Sequence, residues 1–415
     1  MAEDRKEQRP VRKLTVKNFS VIKEAELEFG KITVLIGPQA SGKSLLCKLA
    51  YFLGREILFK AEDWAKQRLG LQVFEDALKR DFEARFPRSG WGSETWTITW
   101  VSNGFGVKLH RNSTSDEPFS VSFGGEFTQI YREISTSQYP DPIDSSYRFR
   151  GLAGTGVWDR ATYIPSERTY FVDTSKGYSS MASDPDPLVK AFAPLFEASR
   201  LPEISRPRTK SLLQGDFVRG ADGWMFAFND GRELPLNQLS SGSKELLPLL
   251  SVLEMYELQR PSSVASSKLL LGRGLPEALS FDDFFIEEPE AHVFPDTQQH
   301  VVRYLAQLVN RKDLRVRIVI TTHSPYLLTA FNELLSAGMA AKARPDRIEE
   351  IKKIVPQECW MDEGELLAYA FNGVDGKLHP MMDAETGLIN GDVLDNVSDQ
   401  IGSEFEELLD IEYGH

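Results

Sequence analysis

Cysteine is nearly absent from this chain: only Cys47 and Cys359 occur in 415 residues. Two thiols give neither a disulfide framework nor the paired spacing of a zinc site, which fits a reducing compartment. Long apolar runs are also missing. None approaches the roughly 18 residues of a membrane span, and Met1 to Arg12 is charged without an apolar core segment, so the expected location is the cytoplasm. Positive charge is in deficit as well. A formal net charge of −13 lacks the overall footprint of a nucleic-acid binder, although a local basic groove can sit on an acidic protein, so direct nucleic-acid binding is left open. There is no internal repeat and no sustained heptad run for a long coiled coil. What remains is a globular composition, 41% hydrophobic, at a length that predicts two or three domains.

The most informative stretch that is present is Gly37-Pro38-Gln39-Ala40-Ser41-Gly42-Lys43-Ser44. It has the form G-x-x-x-x-G-K-[ST], follows the apolar run Ile32 to Ile36, and leads into helix-compatible Leu45 to Ala50, the context such a loop needs to cradle phosphate. Glycines let backbone N–H groups turn inward around phosphate oxygens, and the following helix start favours negative charge. Lys43 is placed to reach the β- and γ-phosphates and Ser44 to ligate Mg²⁺. A nucleoside triphosphate is therefore the expected ligand.

Three later stretches narrow the chemistry. Phe284-Phe285-Ile286-Glu287-Glu288 is an apolar strand ending in two carboxylates, which can place one near the Mg²⁺ shell and the next against an attacking water. Leu239-Ser240-Ser241-Gly242-Ser243-Lys244 is a hydroxyl- and glycine-rich helix start, which can donate to a γ-phosphate or simply cap the helix. Ile318-Val319-Ile320-Thr321-Thr322-His323 ends a strand on a histidine, where open α/β sheets place ligand residues.

Between these landmarks, helices are expected over Ser44 to Leu58 and Ala61 to Phe86. Period-two runs at 95–101, 106–109 and 119–123 predict an inserted antiparallel meander. A loop is expected over 135–150. Ala161 to Arg168 reads as a strand stopped by Pro165 that presents Glu167 and Arg168, as nucleotide or coupling residues or as a structural salt bridge. Helical material is expected from Pro187 to Leu201, then hairpins over Gly215 to Leu236, and the helix Leu246 to Leu258. A Ser- and Gly-rich connection follows over Pro261 to Gly274. Acidic residues gather over Asp392 to Glu412, read either as a solvated amphipathic helix or as a docking segment.

In order and combination these stretches resemble the ATP-binding cassette (ABC) ATPases, and within them the SMC, RecF and OLD-like branch. Gly37 to Ser44 resembles Walker A, Leu239 to Lys244 the cassette signature in its S-S-G form, and Glu287-Glu288 Walker B with its catalytic carboxylate. Glu290 to Pro295 resembles the D-loop region and His323 the switch histidine. Gln39 stands where the branch commonly has Asn, Glu287 where Asp is usual, Ser243 where Gln or Glu is frequent, and 161–168 lacks the glutamine of a Q-loop. The resemblance implies an α/β fold: a P-loop ABC-type ATPase head with a mixed sheet, an inserted helical and antiparallel β region, and an acidic C-terminal segment.

The implied division is 1–60 for the N-terminal lobe with Walker A and 61–214 for the insertion. It continues with 215–340 for the lobe carrying signature, Walker B and switch histidine, and 341–415 for a partner-binding or capping segment. ATP and Mg²⁺ are the implied cofactors. Gly37 to Leu45, including Pro38, Gln39, Ala40 and Ser41, would bind nucleotide together with Ser240, Ser241 and Gly242. Ser44 and Glu287 would hold the metal, and Glu288, His323 and Lys43 would act in catalysis. In this family ATP lies between Walker A of one subunit and the signature of another, which implies a homodimer or larger homo-oligomer. A tail too short for a fused Toprim nuclease points to resemblance with the ATPase components of two-gene anti-phage systems of the PARIS type. That implies a separate Toprim-like effector and a phage-encoded trigger protein as partners. A RecF-like repair ATPase is the alternative.

Overall fold

The computed structural model describes residues 12–102, 104–114, 117–139, 141, 144–145, 148–149, 152, 161–173, 186–221, 223–271 and 282–391, with only the backbone described over 259–271. The acidic stretch 392–412 and the remainder of the tail lie outside the described residues. No helix among the described residues is long and apolar enough to cross a membrane.

The fold is α/β. The strands among the described residues are β1 (Lys13–Phe19), β2 (Ile22–Glu28), β3 (Ile32–Ile36), β4 (Trp96–Ser102), β5 (Phe105–Arg111), β6 (Ser120–Gly125), β7 (Ala161–Ile164), β8 (Gly215–Arg219), β9 (Trp224–Phe228), β10 (Glu233–Pro235), β11 (Asp282–Glu287), β12 (Val316–Thr322), β13 (Leu366–Phe371) and β14 (Leu378–Pro380). The central sheet has the order β14-β13-β3-β12-β11-β7, and all its pairings are parallel except β13 with β14. Every residue of β3, β11 and β12 is buried, as strands covered on both faces require.

Side chains alternate between two cores. Val34, Ile286 and Ile320 face one shared with the helices Ser241–Leu271, Pro295–Asn310 and Pro325–Ala343. Leu35, Phe285 and Val319 face the other, shared with a five-stranded antiparallel sheet of order β2-β1-β4-β5-β6. Between the two sheets lie α1 (Lys43–Tyr51), α2 (Ile57–Lys66) and α3 (Leu71–Arg85). The aromatic centre of that layer includes Phe19, Phe82, Trp91 and Trp96, with Phe19 and Trp96 edge-to-face at 5.1 Å, a favoured ring geometry.

Several expectations change. The expected inserted meander joins the N-terminal sheet, because β4 pairs with β1. The chain from 44 stays helical through a π-helical turn, Phe52–Glu56, where Gly54 lies so close to the Trp100 ring that a Cβ would come within 2.7 Å of it. The long helix expected over 61–86 breaks at Arg68, whose φ is 61°, because a residue in the left-handed region cannot continue a helix. Phe127–Thr136 is a helix whose apolar residues fall on one buried face, overlapping the start of the expected loop. The helix starting at Ser241 continues to Leu271 through Pro261, against the expected loop there.

The largest change concerns the C-terminal part. Leu366–Phe371, expected in a partner-binding or capping segment, forms β13 and pairs in parallel with β3. Its six-residue length and alternation-free composition hid it, since a short apolar run does not distinguish a buried strand from a helix segment.

The chain reaches β13 by crossing the helix Pro325–Ala343 at Gly338, where a Cβ would stand 2.2 Å from the Met361 carbonyl oxygen. Met361 N–H donates to Leu334 O at 3.2 Å at the same crossing. Gly338→Ala gains about 1 kcal/mol of helix propensity but must displace backbone, so a net destabilisation of about 1–3 kcal/mol is expected. It should appear as a lower thermal midpoint; an unchanged midpoint would show that the crossing yields freely.

Candidate functional site

Parallel register decides what meets at the sheet edge. Ile36 lies opposite Thr322, and Glu287 opposite Thr321, so the residues that come after β3, β11 and β12 emerge together. These are Gly37, Glu288 and His323, and the carboxyl ends of parallel strands are where such sheets bind ligands.

The loop after β3 is built around two glycines. Gly37 has φ of 151° and would place a Cβ 2.6 Å from Phe371 O, while Gly42 has φ of 107° and would place one 2.8 Å from Ile22 Cγ1. The loop is thus fitted against both β13 and the β1–β2 turn. Gly42 caps α1, so the loop delivers Lys43, Ser44 and Leu45 as the first turn of a helix. Lys43 Nζ donates to Gly37 O at 2.8 Å and Pro38 O at 2.7 Å. Burial lowers the Lys43 pKa to about 8, against the opposing pull of Glu288 and Glu290. Pro38 also contacts the turn after β13, where a Cβ on Gly373 would lie 2.9 Å away.

Glu287 is 2% exposed, and Ser166 N–H donates to its Oε2 at 3.3 Å. Burial raises its pKa, while Lys48, Tyr163 and Ser44 favour the charged form. Glu288 comes next with φ of 42°, a conformation costly for a residue other than glycine. Its N–H donates to Thr321 O at 2.8 Å, and its Oε1 lies 3.4 Å from His323 Nε2. Both side chains of that pair are about one-third exposed, so each can reach a ligand. Glu290 fixes the histidine from behind: its Oε1 accepts from Thr322 Oγ1 at 2.6 Å and from His323 N–H at 2.7 Å.

The fit to a triphosphate and a divalent cation can be tested on atoms left without partners. Ser41 Oγ in the loop and Glu287 Oε1 beside Ser44 are buried with no hydrogen bond, an arrangement that normally has a reason. Among the described residues no group of three or more His, Cys, Asp or Glu could hold a metal unaided. A site of one hydroxyl and one carboxylate suits Mg²⁺, which takes its remaining ligands from phosphate and water.

The serine-rich turn lies at the start of the helix Ser241–Leu271. Ser240 Oγ accepts from Ser243 N–H at 3.2 Å and lies 2.8 Å from Ser243 Oγ, so it caps the helix. Ser240 and Ser241 are exposed. Gly242 packs on the turn after β11, where a Cβ would meet His292 O at 2.7 Å. Its glycine is thereby explained by close approach within the chain. Lys244 Nζ pairs with Asp173 Oδ1 at 2.6 Å.

Glu290 as the anchor of His323 and the turn after β13 as a wall of the loop were not read from sequence. Their roles depend on contacts between distant segments that no local pattern carries. Arg168 is fully buried, while Glu167 is exposed.

Residues 175–328 match the family described as AAA ATPase domain, a span that includes the serine-rich turn, Glu287-Glu288 and His323 but not the phosphate loop. Comparison with curated proteins gives no match. Among solved structures, the SMC head domain from Thermotoga maritima is 14% identical with a TM-score of 0.39, covering 89% of this chain and 97% of that one. An Smc head bound to the C-terminal winged-helix domain of ScpA is 11% identical with a TM-score of 0.41, covering 89% and 96%. A third, an Smc head with an extended coiled coil bound to the C-terminal domain of ScpA derived from Pyrococcus furiosus, gives 11%, 0.38, 94% and 99%. These superpositions are loose, and the fold rests on the order and direction of the strands themselves.

Glu290 gives a direct test of the edge. Glu290→Gln keeps an oxygen for Thr322 Oγ1 and His323 N–H and should retain most turnover of a triphosphate. Glu290→Ala frees the histidine and should lower turnover about 10- to 100-fold. Equal rates in the two variants would show that the anchor does not set His323.

Proposed function

We propose that the chain binds ATP with Mg²⁺ at Gly37 to Leu45 and hydrolyses it slowly, as a homodimer or larger homo-oligomer. The observation that carries this reading is the convergence of the phosphate loop, Glu288 and His323 at one sheet edge, with Glu288 and His323 3.4 Å apart. Backbone N–H groups of the loop and Lys43 bind the phosphates. Ser44 and Glu287 hold Mg²⁺, which supplies charge neutralisation on the phosphates. Glu288 orients and polarises the attacking water, and His323 holds Glu288 and meets the γ-phosphate. The AAA ATPase domain match over 175–328 supports the reading.

Ser240, Ser241 and Gly242 complete the site of a neighbouring copy. The exposed hydroxyls of Ser240 and Ser241 support this, as do the exposed apolar side chains at the same edge, Phe294 at 77% and Tyr326 at 56%. Exposed aromatics next to a polar site suit a protein interface.

At the finer level, the ATPase acts as a switch or scaffold in anti-phage defence, like AriA of the PARIS system, sensing a phage protein and controlling a separate Toprim-like effector. The resemblance and the net charge of −13, which disfavours a DNA-repair role, support it. Recovery of a Toprim-like protein with the chain from its native host is the outcome expected; recovery of DNA-repair or membrane subunits instead contradicts it.

For hydrolysis, Lys43→Ala should lose nucleotide binding, and Glu288→Gln should bind ATP while turning over about 10²- to 10⁴-fold more slowly. Wild-type rates in either variant would overturn the assignment.

A further inference from the structure

Arg168 is 0% exposed, and its guanidinium is committed almost entirely to main-chain oxygens. Nη1 donates to Pro165 O at 2.8 Å and to Glu287 O. Nη2 donates to Glu288 O at 2.7 Å, and Nε donates to Glu245 O at 3.1 Å. The charge is balanced by the Glu245 carboxylate, whose Oε2 lies 3.2 Å from Nη2.

Three segments distant in sequence thus meet on one planar group: the residue after β7, the last residue of β11 with the one that follows it, and the start of the helix Ser241–Leu271. A guanidinium presents five N–H donors in a fixed fork, whereas an ammonium has three on a point charge. No other cationic side chain can satisfy these carbonyls together, and each one left bare in the interior carries a desolvation cost.

The position of the bonds matters more than their number. Glu288 sits at φ of 42°, and an unfavourable backbone conformation persists only where its surroundings hold it. Arg168 grips the carbonyls of Glu287 and Glu288, and so sets the direction in which the Glu288 side chain leaves the backbone toward His323. Through Glu245 the same group joins that backbone to the helix whose first turn presents Ser240 and Ser241.

We propose that Arg168 is a positioning residue for hydrolysis. It touches no ligand, and it holds the Glu288 carboxylate and the serine-rich turn as one rigid unit. In a two-copy assembly, these two features serve different ATP sites, so the unit ties the geometry of one site to that of the next. This role rests on the proposed hydrolysis of ATP at Glu288.

The test compares wild type, Glu288→Gln, Arg168→Lys and Glu245→Gln in the full chain, with turnover measured beside the dissociation constant for a fluorescent ATP analogue. Thermal midpoints show which variants fold. Arg168→Lys should lower kcat about 10- to 100-fold while analogue affinity stays within about threefold of wild type, because only the geometry of the reacting group changes. Glu245→Gln removes the charge partner but keeps the carbonyl, so it should show the same split at a smaller size, at least about threefold in kcat. Should Arg168→Lys fail to fold, Glu245→Gln decides alone.

Wild-type kcat in a folded Arg168→Lys overturns the inference, as does affinity falling in step with kcat. Absence of turnover in wild type, or full activity of Glu288→Gln, brings down the hydrolysis reading and this inference with it. Glu288-dependent turnover that ignores Arg168 and Glu245 brings down the inference alone.

Discussion

Everything at the site depends on the parallel register of β3, β12 and β11. Backbone hydrogen bonding fixes Ile36 opposite Thr322 and Thr321 opposite Glu287. A one-residue slip in any of these pairings would turn the emerging side chains to the opposite face. The strands are buried on both sides, and the two cores claim alternate residues of each, so a slip would drive apolar side chains into the wrong layer along the whole strand. The chemistry of the edge is therefore held in place by hydrophobic packing well below it.

Buried charge reinforces the same strands at two levels. Near the start of β11, Asp283 pairs with Arg12 at 3.1 Å, Arg55 at 2.6 Å and Arg317 at 2.7 Å. Burial alone would raise its pKa, but Arg12, Arg317 and Arg55 together hold it well below the usual carboxylate range. A carboxyl lowered on folding adds stability above its unfolded pKa and loses that contribution only as pH falls toward its folded value. This contact thus holds from neutral pH into acid. At the other end of β11, Arg168 grips the carbonyls of Glu287 and Glu288. Such buried pairs are weak evidence of net stability, since replacing both partners by apolar groups is often neutral. They do specify which segments meet.

The loop Gly37 to Ser44 was legible as a strand-to-helix turn because its pattern is local: glycines, a lysine and a serine at fixed spacing between a strand and a helix. Glu287-Glu288 and His323 were legible for a related reason, as each closes an apolar strand. The joining of β4 to β1 was not, because period-two runs announce strands without naming their neighbours. Strand β13 was hidden by its short apolar run, although it forms one wall of the phosphate loop through Phe371. Arg168 could be seen as a charged residue at a strand end, yet all its carbonyl partners except Pro165 O come from segments more than seventy residues away, and only folding brings them together. Gly242 was read as a ligand-facing residue, and the structure adds the close approach of His292 O as a reason for glycine there.

The central claim is that the phosphate loop of one copy is completed by the serine-rich turn of another. Mixing two variants tests it most directly: Lys43→Ala, which loses the lysine proposed to bind phosphate, and Ser241→Arg, which blocks the exposed turn. Each alone is expected to be inactive, and an equimolar mixture is expected to regain turnover because mixed assemblies contain one intact composite site. A mixture as inactive as its components, or full activity of Ser241→Arg alone, would contradict the account.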